Sequence, residues 1–267
     1  MNGAITRAWA SSPARKARFL LSLSIGYTIA LLSVAHGQSS DSIQPLTFIE
    51  FTTGHETAAK RPLIIAIHGL GDRPENFARL YRDAPIAARW IIPRAPSAHG
   101  RGYSWFPVAI PLRRDDPGLI TGVGTAAEKV AALIQWLKQR RKFHGKPIVT
   151  GFSQGGMISF MLAARHGSLI EGAVPVAGAL PTQITPQGQP KLKVVALHGV
   201  DDKVIDYFSA LRTVNTFRTA GIAISMHPFP GVGHHISLEM RQLMFEALER
   251  MGGLGETKAR IVPAAPQ

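Results

Sequence analysis

The sequence predicts an α/β fold with a mostly parallel central sheet and helices on both faces, and three observations predict it. Short, β-rich apolar runs closed by turn residues alternate along the chain with amphipathic stretches of helical period. Alternation of that kind implies βαβ units, whose crossover helices cover both sides of a parallel sheet. A length of 267 residues, 45% hydrophobic and 18% charged, suits one domain and excludes both a disordered chain and a multi-span membrane protein.

Taken in order, residues 47–53 are read as an amino-terminal edge strand. A buried-strand run at 63–67 ends in His68-Gly69, and the run at 90–92 precedes Pro93. Residues 125–143 form the first long helix, with Val130, Leu133, Ile134 and Leu137 on one stripe and Lys129 and Lys138 off it. The strand at 147–151 leads into Phe152-Ser153 and a helix over 154–166. A strand at 172–176 ends at Ala177-Gly178, and another at 193–197 ends in His198-Gly199. A helix at 204–220, a strand at 224–229 closed by Pro230-Gly231, and a helix at 236–251 complete the body; residues 252–267 read as a flexible tail.

Residues 1–37 read as an address. Arg7, Arg15, Lys16 and Arg18 come first with no acid, residues 19–35 are apolar, and Ala35-His36-Gly37 places small residues at the cleavage positions. That order is the order of a secretory signal peptide. At 17 residues, with Gly26 and three serines inside, the apolar run is short for a membrane span of about 20 residues, so an uncleaved anchor is the secondary expectation. The expected location is therefore secreted or periplasmic, with no stable membrane insertion once the segment is removed. The chain carries a formal net charge of +13, and cutting after Gly37 removes four bases and leaves +9.

The remaining bases are scattered, and only residues 138–142 are dense; they end a helix, where cations suit the helix dipole. They are not interleaved with stacking aromatics, so no nucleic-acid partner is expected. The surplus favours anionic envelopes or polymers through long-range attraction. Zero cysteines exclude disulfides, thiolate nucleophiles and cysteine-bound zinc.

Chemistry in open α/β sheets collects at the carboxyl ends of the strands, where the four most unusual segments lie. Gly151-Phe152-Ser153-Gln154-Gly155-Gly156 is a G-x-S-x-G motif between a strand and a helix, the context of a nucleophile elbow. The glycines leave room for backbone to pass a serine held in strained φ/ψ space, and the helix amino terminus favours developing negative charge. Serine needs a base and the base an orienting acid, following in that fold in the order Ser, acid, His. His198-Gly199-Val200-Asp201-Asp202 and Gly231-Val232-Gly233-His234-His235 both come later. Asp201 and Asp202 compete for the acid; His234 is favoured over His235 because Gly233 lets the turn aim it inward. A zinc site on the adjacent histidines is disfavoured, since their side chains diverge and no carboxylate sits at ligand spacing. The oxyanion donors are expected at Gln154 N–H and within His68-Gly69-Leu70-Gly71-Asp72, at Leu70 N–H. His68 and Asp72 read as loop braces.

HGLGD, PRAP, SWF, GFSQGG, HGVDDKVI and GVGH, in that order, make the chain resemble the phospholipase/carboxylesterase branch of the α/β-hydrolase superfamily, which includes acyl-protein thioesterases. The resemblance spans roughly residues 45–250. It implies the α/β-hydrolase fold, Ser153 as nucleophile, His234 as base, Leu70 and Gln154 at the oxyanion positions, and the acid on the fifth residue of the H-G-x-x-D turn, Asp202. Two loops depart from the family pattern: Pro107 follows Trp105-Phe106 where Asp is common, and Arg94 stands where Asn is usual. The expectation is a serine carboxylesterase acting on short-chain carboxylic esters through an acyl-enzyme, with no cofactor and no metal. Trp105, Phe106 and Met157 are candidates to line an apolar substrate pocket. The alternatives are a polymer-directed esterase or depolymerase (feruloyl, acetylxylan or polyhydroxyalkanoate type), whose ester is polymer-borne rather than a small molecule, and a non-catalytic binding module on a hydrolase scaffold.

Overall fold

Runs of branched apolar residues that alternate between two faces dictate a sheet buried on both sides. The computed structural model describes residues 46–57, 60–108, 112–189 and 191–253; the expected signal segment, and the tail from residue 254 onward, lie outside the described residues. The strands are β1 (Phe48–Thr52), β2 (Pro62–Ile67), β3 (Arg89–Pro93), β4 (Ser97–His99), β5 (Gly102–Ser104), β6 (His144–Phe152), β7 (Gly172–Val176), β8 (Lys193–Gly199) and β9 (Ala223–Phe229). The helices are α1 (Pro74–Phe77), α2 (Pro117–Arg140), α3 (Gln154–Arg165), α4 (Tyr207–Thr219) and α5 (Leu238–Met251).

Among the described residues the main sheet has seven strands in the order β1-β3-β2-β6-β7-β8-β9, and β4 and β5 form a separate hairpin. All neighbours in the main sheet are parallel except β1, which runs antiparallel along β3 with Phe48 opposite Pro93. The expected edge strand is thus present, and the α/β architecture is the one the alternation predicts.

Alternation along β2 sorts the core. Leu63, Ile65 and Ile67 pack with Ile91, Val149 and Ala173 against α2, α3 and α4. Ile64 and Ala66 point the other way, joining Trp90, Ile92, Ile148 and Val174 under α5 and the α1 segment. α3 is buried from Gln154 to Ala164, which its composition requires, since Met157, Ile158, Phe160, Met161 and Leu162 leave no polar face.

Several boundaries differ from the sequence reading. α2 starts eight residues earlier than expected, capped by the Asp116 carboxylate accepting from Leu119 N–H, with Pro117 at the first helical position. It ends at Arg140, and β6 then starts at His144 rather than 147. α4 and α5 start at the caps Asp206 and Ser237, not at 204 and 236. The β4–β5 hairpin and the single-turn α1 lie in a stretch that showed no periodicity long enough to read.

Candidate active site

β6 ends at Phe152, and the chain turns at once into α3 through Ser153, whose φ of 57° and ψ of −114° lie in a region that side-chain-bearing residues rarely occupy. Such a conformation costs about 1–3 kcal/mol and persists only where its surroundings enforce it. Here they do. Ser153 N–H is held by the Val176 carbonyl at 3.1 Å, and Ser153 O accepts from Met157 N–H at 2.9 Å. A side chain at Gly155 would place its Cβ on the Ile67 carbonyl, so a glycine is what allows α3 to sit this close to β2.

The next two segments converge on that serine. The loops after β8 and β9 touch at Gly199, where a Cβ would meet the Val232 and Gly233 carbonyls, and Asp201 N–H bonds Val232 O at 3.0 Å. That contact brings residues far apart in sequence into line. His234 Nε2 lies 2.9 Å from Ser153 Oγ, and His234 Nδ1 lies 2.7 Å from Asp202 Oδ2. The structure therefore brings Asp202, not Asp201, to the imidazole; Asp201 is exposed. His235 is likewise exposed.

Asp202 is 3% exposed. Burial by itself pushes its carboxyl upward, but hydrogen bonds from His234 and from the Ile205 and Val204 N–H groups outweigh that and hold it below the usual carboxylate range. Its Oδ1 accepts those amides at 2.9 and 2.8 Å, which leaves Oδ2 for the histidine. The turn is fixed from behind by His198, buried, whose Nε2 bonds the Ile205 carbonyl at 2.8 Å. Burial lowers the pKa of His198 below the ordinary imidazole value. Sequence reasoning assigned His198 no role; its only signal was the His-Gly pair closing a strand.

The loop after β2 forms the other wall. The chain at Gly69 packs against Phe152 and Ser153. His68, fully buried and lowered in pKa by that burial, donates from Nδ1 to the Gly69 carbonyl at 2.7 Å and accepts from Ala95 N–H at 3.2 Å on Nε2. Leu70 and Gln154 border the same cavity as Ser153. The Gln154 N–H, at the first position of α3, has no carbonyl one turn back to bond. Its side chain is engaged elsewhere: Oε1 accepts from Trp105 N–H at 3.0 Å and Nε2 donates to the Phe106 carbonyl at 2.7 Å.

That tie corrects one expectation. Trp105 and Phe106 do not line the cavity. They are 4% and 2% exposed, packed into the core beside α2, with the Trp105 indole N–H donating to the His68 carbonyl at 2.9 Å. Their apolar surface is already covered by protein, and their polar groups brace the two loops that flank Ser153. Met157 does border the cavity, which measures about 360 Å³ and is also walled by Val108, Leu112, Val204 and Ile205. A second hollow of about 270 Å³ also borders Ser153, between Asp72, Phe152, Val204 and His234. Among the described residues no group of three or more His, Asp or Glu is placed to hold a metal ion.

A hydroxyl at a strained turn, hydrogen-bonded to an imidazole that a buried carboxylate orients, is an arrangement able to form and hydrolyse an acyl ester. Comparison with known proteins agrees. The family model described as phospholipase/carboxylesterase matches residues 51–251. A probable carboxylesterase of Oryza sativa subsp. japonica is 29% identical over 203 residues, covering 68% of this chain and 74% of that protein. Among solved structures, esterase PE8 superposes with a TM-score of 0.64 at 21% identity, covering 78% of this chain and 99% of the other. Arabidopsis thaliana SOBER1 superposes with a TM-score of 0.61 at 23% identity, covering 72% and 99%.

Proposed function

Because the chain belongs to the phospholipase/carboxylesterase family of α/β-hydrolases, and is accordingly a serine-type hydrolase of ester bonds, we propose that Ser153 is its nucleophile, His234 its base and Asp202 its acid, acting on short-chain carboxylic esters outside the cytoplasm. The observation that carries this reading is the unbroken pair of hydrogen bonds through His234, 2.9 Å to Ser153 Oγ and 2.7 Å to Asp202 Oδ2.

Serine is a poor nucleophile at its own pKa, so His234 Nε2 takes the Oγ proton as Oγ attacks the ester carbonyl. Asp202, kept ionised by its amide donors, holds the Nδ1–H tautomer and stabilises the imidazolium that forms. The Leu70 and Gln154 N–H groups receive the oxyanion; losing one such donor typically costs about 3–4 kcal/mol of barrier. His234 then protonates the departing alcohol, which leaves on its own side through the hollow beside Phe152. A water activated by the same imidazole releases the acid from the cavity over Met157.

Export rests on residues 1–37, with their basic, apolar, small order. Among the described residues no helix is long and apolar enough to cross a membrane. A polymer-borne or aggregated ester is the second reading, favoured by one observation. The large hydrophobic side chains exposed among the described residues are Val200, Val204, Phe208 and Leu238, all on the loops and first helical turns following β8 and β9, and Val204 borders both hollows.

The test is fluorophosphonate labelling of wild type and Ser153→Ala with the adduct mapped, alongside a chain-length series of soluble esters and polymer films. One adduct on Ser153, none in the variant, and a fall in turnover of about 10⁴-fold or more are expected. Labelling elsewhere, or equal turnover by both proteins, would remove the mechanism. Faster release from films than from any soluble ester would favour the second reading.

A further inference from the structure

The positive charge is concentrated at the edge of the sheet away from Ser153. The parallel register places the starts of β2, β3, β6, β7, β8 and β9 along one edge. Six of the eight lysines among the described residues belong to that edge: Lys60 before β2, Lys138 and Lys142 at the end of α2 and the turn after it, Lys146 early in β6, and Lys191 and Lys193 at the start of β8. All six are exposed. The last turns of α3, α4 and α5, which end toward this edge, add exposed arginines.

The acids there are few. Glu50 is already held by Arg89 at 2.9 Å and Arg141 at 3.3 Å, and Glu128 lies 3.0 Å from His166, leaving Glu56, Glu171, Glu246 and Glu249. The catalytic edge is more evenly balanced: the loop after β8 sets Asp201, Asp202 and Asp206 against Lys203, and the other loops set Asp72, Glu75, Asp115 and Asp116 among Arg73, Arg94, Arg101, Arg113 and Arg114.

The residue type says what such an edge meets. Arg61, Arg89 and Arg141 are tied to protein oxygens, so the free charges are mainly lysines: strongly hydrated points on flexible stems, with no fork to match a ligand of fixed geometry. A nucleic acid would want exposed aromatic faces; Trp136, the tryptophan at the end of α2, is covered by the Arg140 and Arg141 guanidinium groups, 4.7 and 5.8 Å from its ring. Dispersed lysines suit a diffuse, fluid array of negative charge, to which each adds an attraction that decays over about a Debye length, roughly 10 Å.

We infer that this edge docks the protein peripherally on an anionic phospholipid bilayer, with Ser153 and its two hollows facing away from the lipid. The inference goes beyond the ester-hydrolase reading and does not rest on its catalytic assignments.

The full chain is sedimented with phosphatidylcholine vesicles with and without phosphatidylglycerol, at low and high salt. Wild type is compared with the triple variant Lys142→Glu, Lys146→Glu, Lys193→Glu and with a control pair, Lys129→Glu and Lys203→Glu. Wild type and control should bind the anionic vesicles at least about tenfold more strongly than neutral ones at low salt, and lose the difference at high salt. The triple variant should lose the preference with its thermal unfolding unchanged. Should it fail to fold, Lys→Gln replacements at the same three positions should show the same loss. Equal binding to both lipids, or a triple variant that binds like wild type because residues 1–37 carry the contact, would overturn the inference. So would tighter capture by a soluble polyanion such as heparin than by the vesicles.

Discussion

Two buried histidines, His68 and His198, flank the Ser153 site, and their burial makes the stability of the fold depend on pH. Burial holds both His68 and His198 below the ordinary imidazole range, so each stays neutral in the fold. As pH falls below about 6.5, the unfolded chain binds protons that the folded one refuses, and stability falls with it. It is fully present above that value and is lost as pH drops toward the folded pKa values. Asp202, also lowered, adds a second loss at more acid pH, below about 4. The urea midpoint should therefore decline from pH 7 to pH 5, and less so in His198→Gln, which cannot titrate; a level midpoint across that range would contradict the assignment. At this scale Ser153 and His234 were legible as candidates, and the acid as one of Asp201 and Asp202, because motif and chain order restrict the choice. Trp105 and Phe106 were not, because an aromatic pair reads the same in sequence whether it walls a pocket or fills a core.

Two features of the helices have very different consequences. Asp116 caps α2 with one bond to Leu119 N–H, and caps of this kind contribute about 1 kcal/mol. Gly155 occupies a place where any Cβ would collide with the Ile67 carbonyl, backbone that cannot rotate away. Asp116→Ala should thus lower the melting temperature by a few degrees with turnover intact, whereas Gly155→Ala should lower it further, by an overpacking cost of about 1–3 kcal/mol, and damage turnover, since α3 must retreat from β2 and carries Ser153, its cap, with it. Melting curves paired with ester turnover for the two variants check this order. The start of α2 was hidden in the sequence by Gly118, Gly122 and Gly124, which argue against a helix that its Asp-Pro cap and its packing on the sheet nonetheless hold.

Across the molecule, the parallel sheet separates two edges with different chemistry. One gathers the strand ends, the strained turn and the convergent loops; the other gathers strand starts and lysines. The amino-terminal 37 residues carry their own prediction: expressed in a host that exports it, the chain should be recovered starting at Gln38, by mass spectrometry of the intact protein. Recovery with Phe19 and its apolar neighbours still attached would favour the anchor. The sum of charge was visible in the composition, but its division between edges was not, since Lys60 and Lys193, three strands apart in the sheet, come to share one edge only through strand pairing.

What the sequence determined by itself is whatever local sterics and periodicity dictate: the alternation of strands and helices, the glycines around Ser153, and the order serine, acid, histidine. The tertiary structure decided what depends on distance between remote segments. It chose Asp202 over Asp201 because only one carboxylate in the turn faces His234 while its other oxygen takes two amides. It moved Trp105 and Phe106 from pocket wall to core because Gln154 pulls their backbone against α3. Burial and hydrogen-bond partners are properties of packed neighbours, and a linear chain does not specify them residue by residue until it has folded.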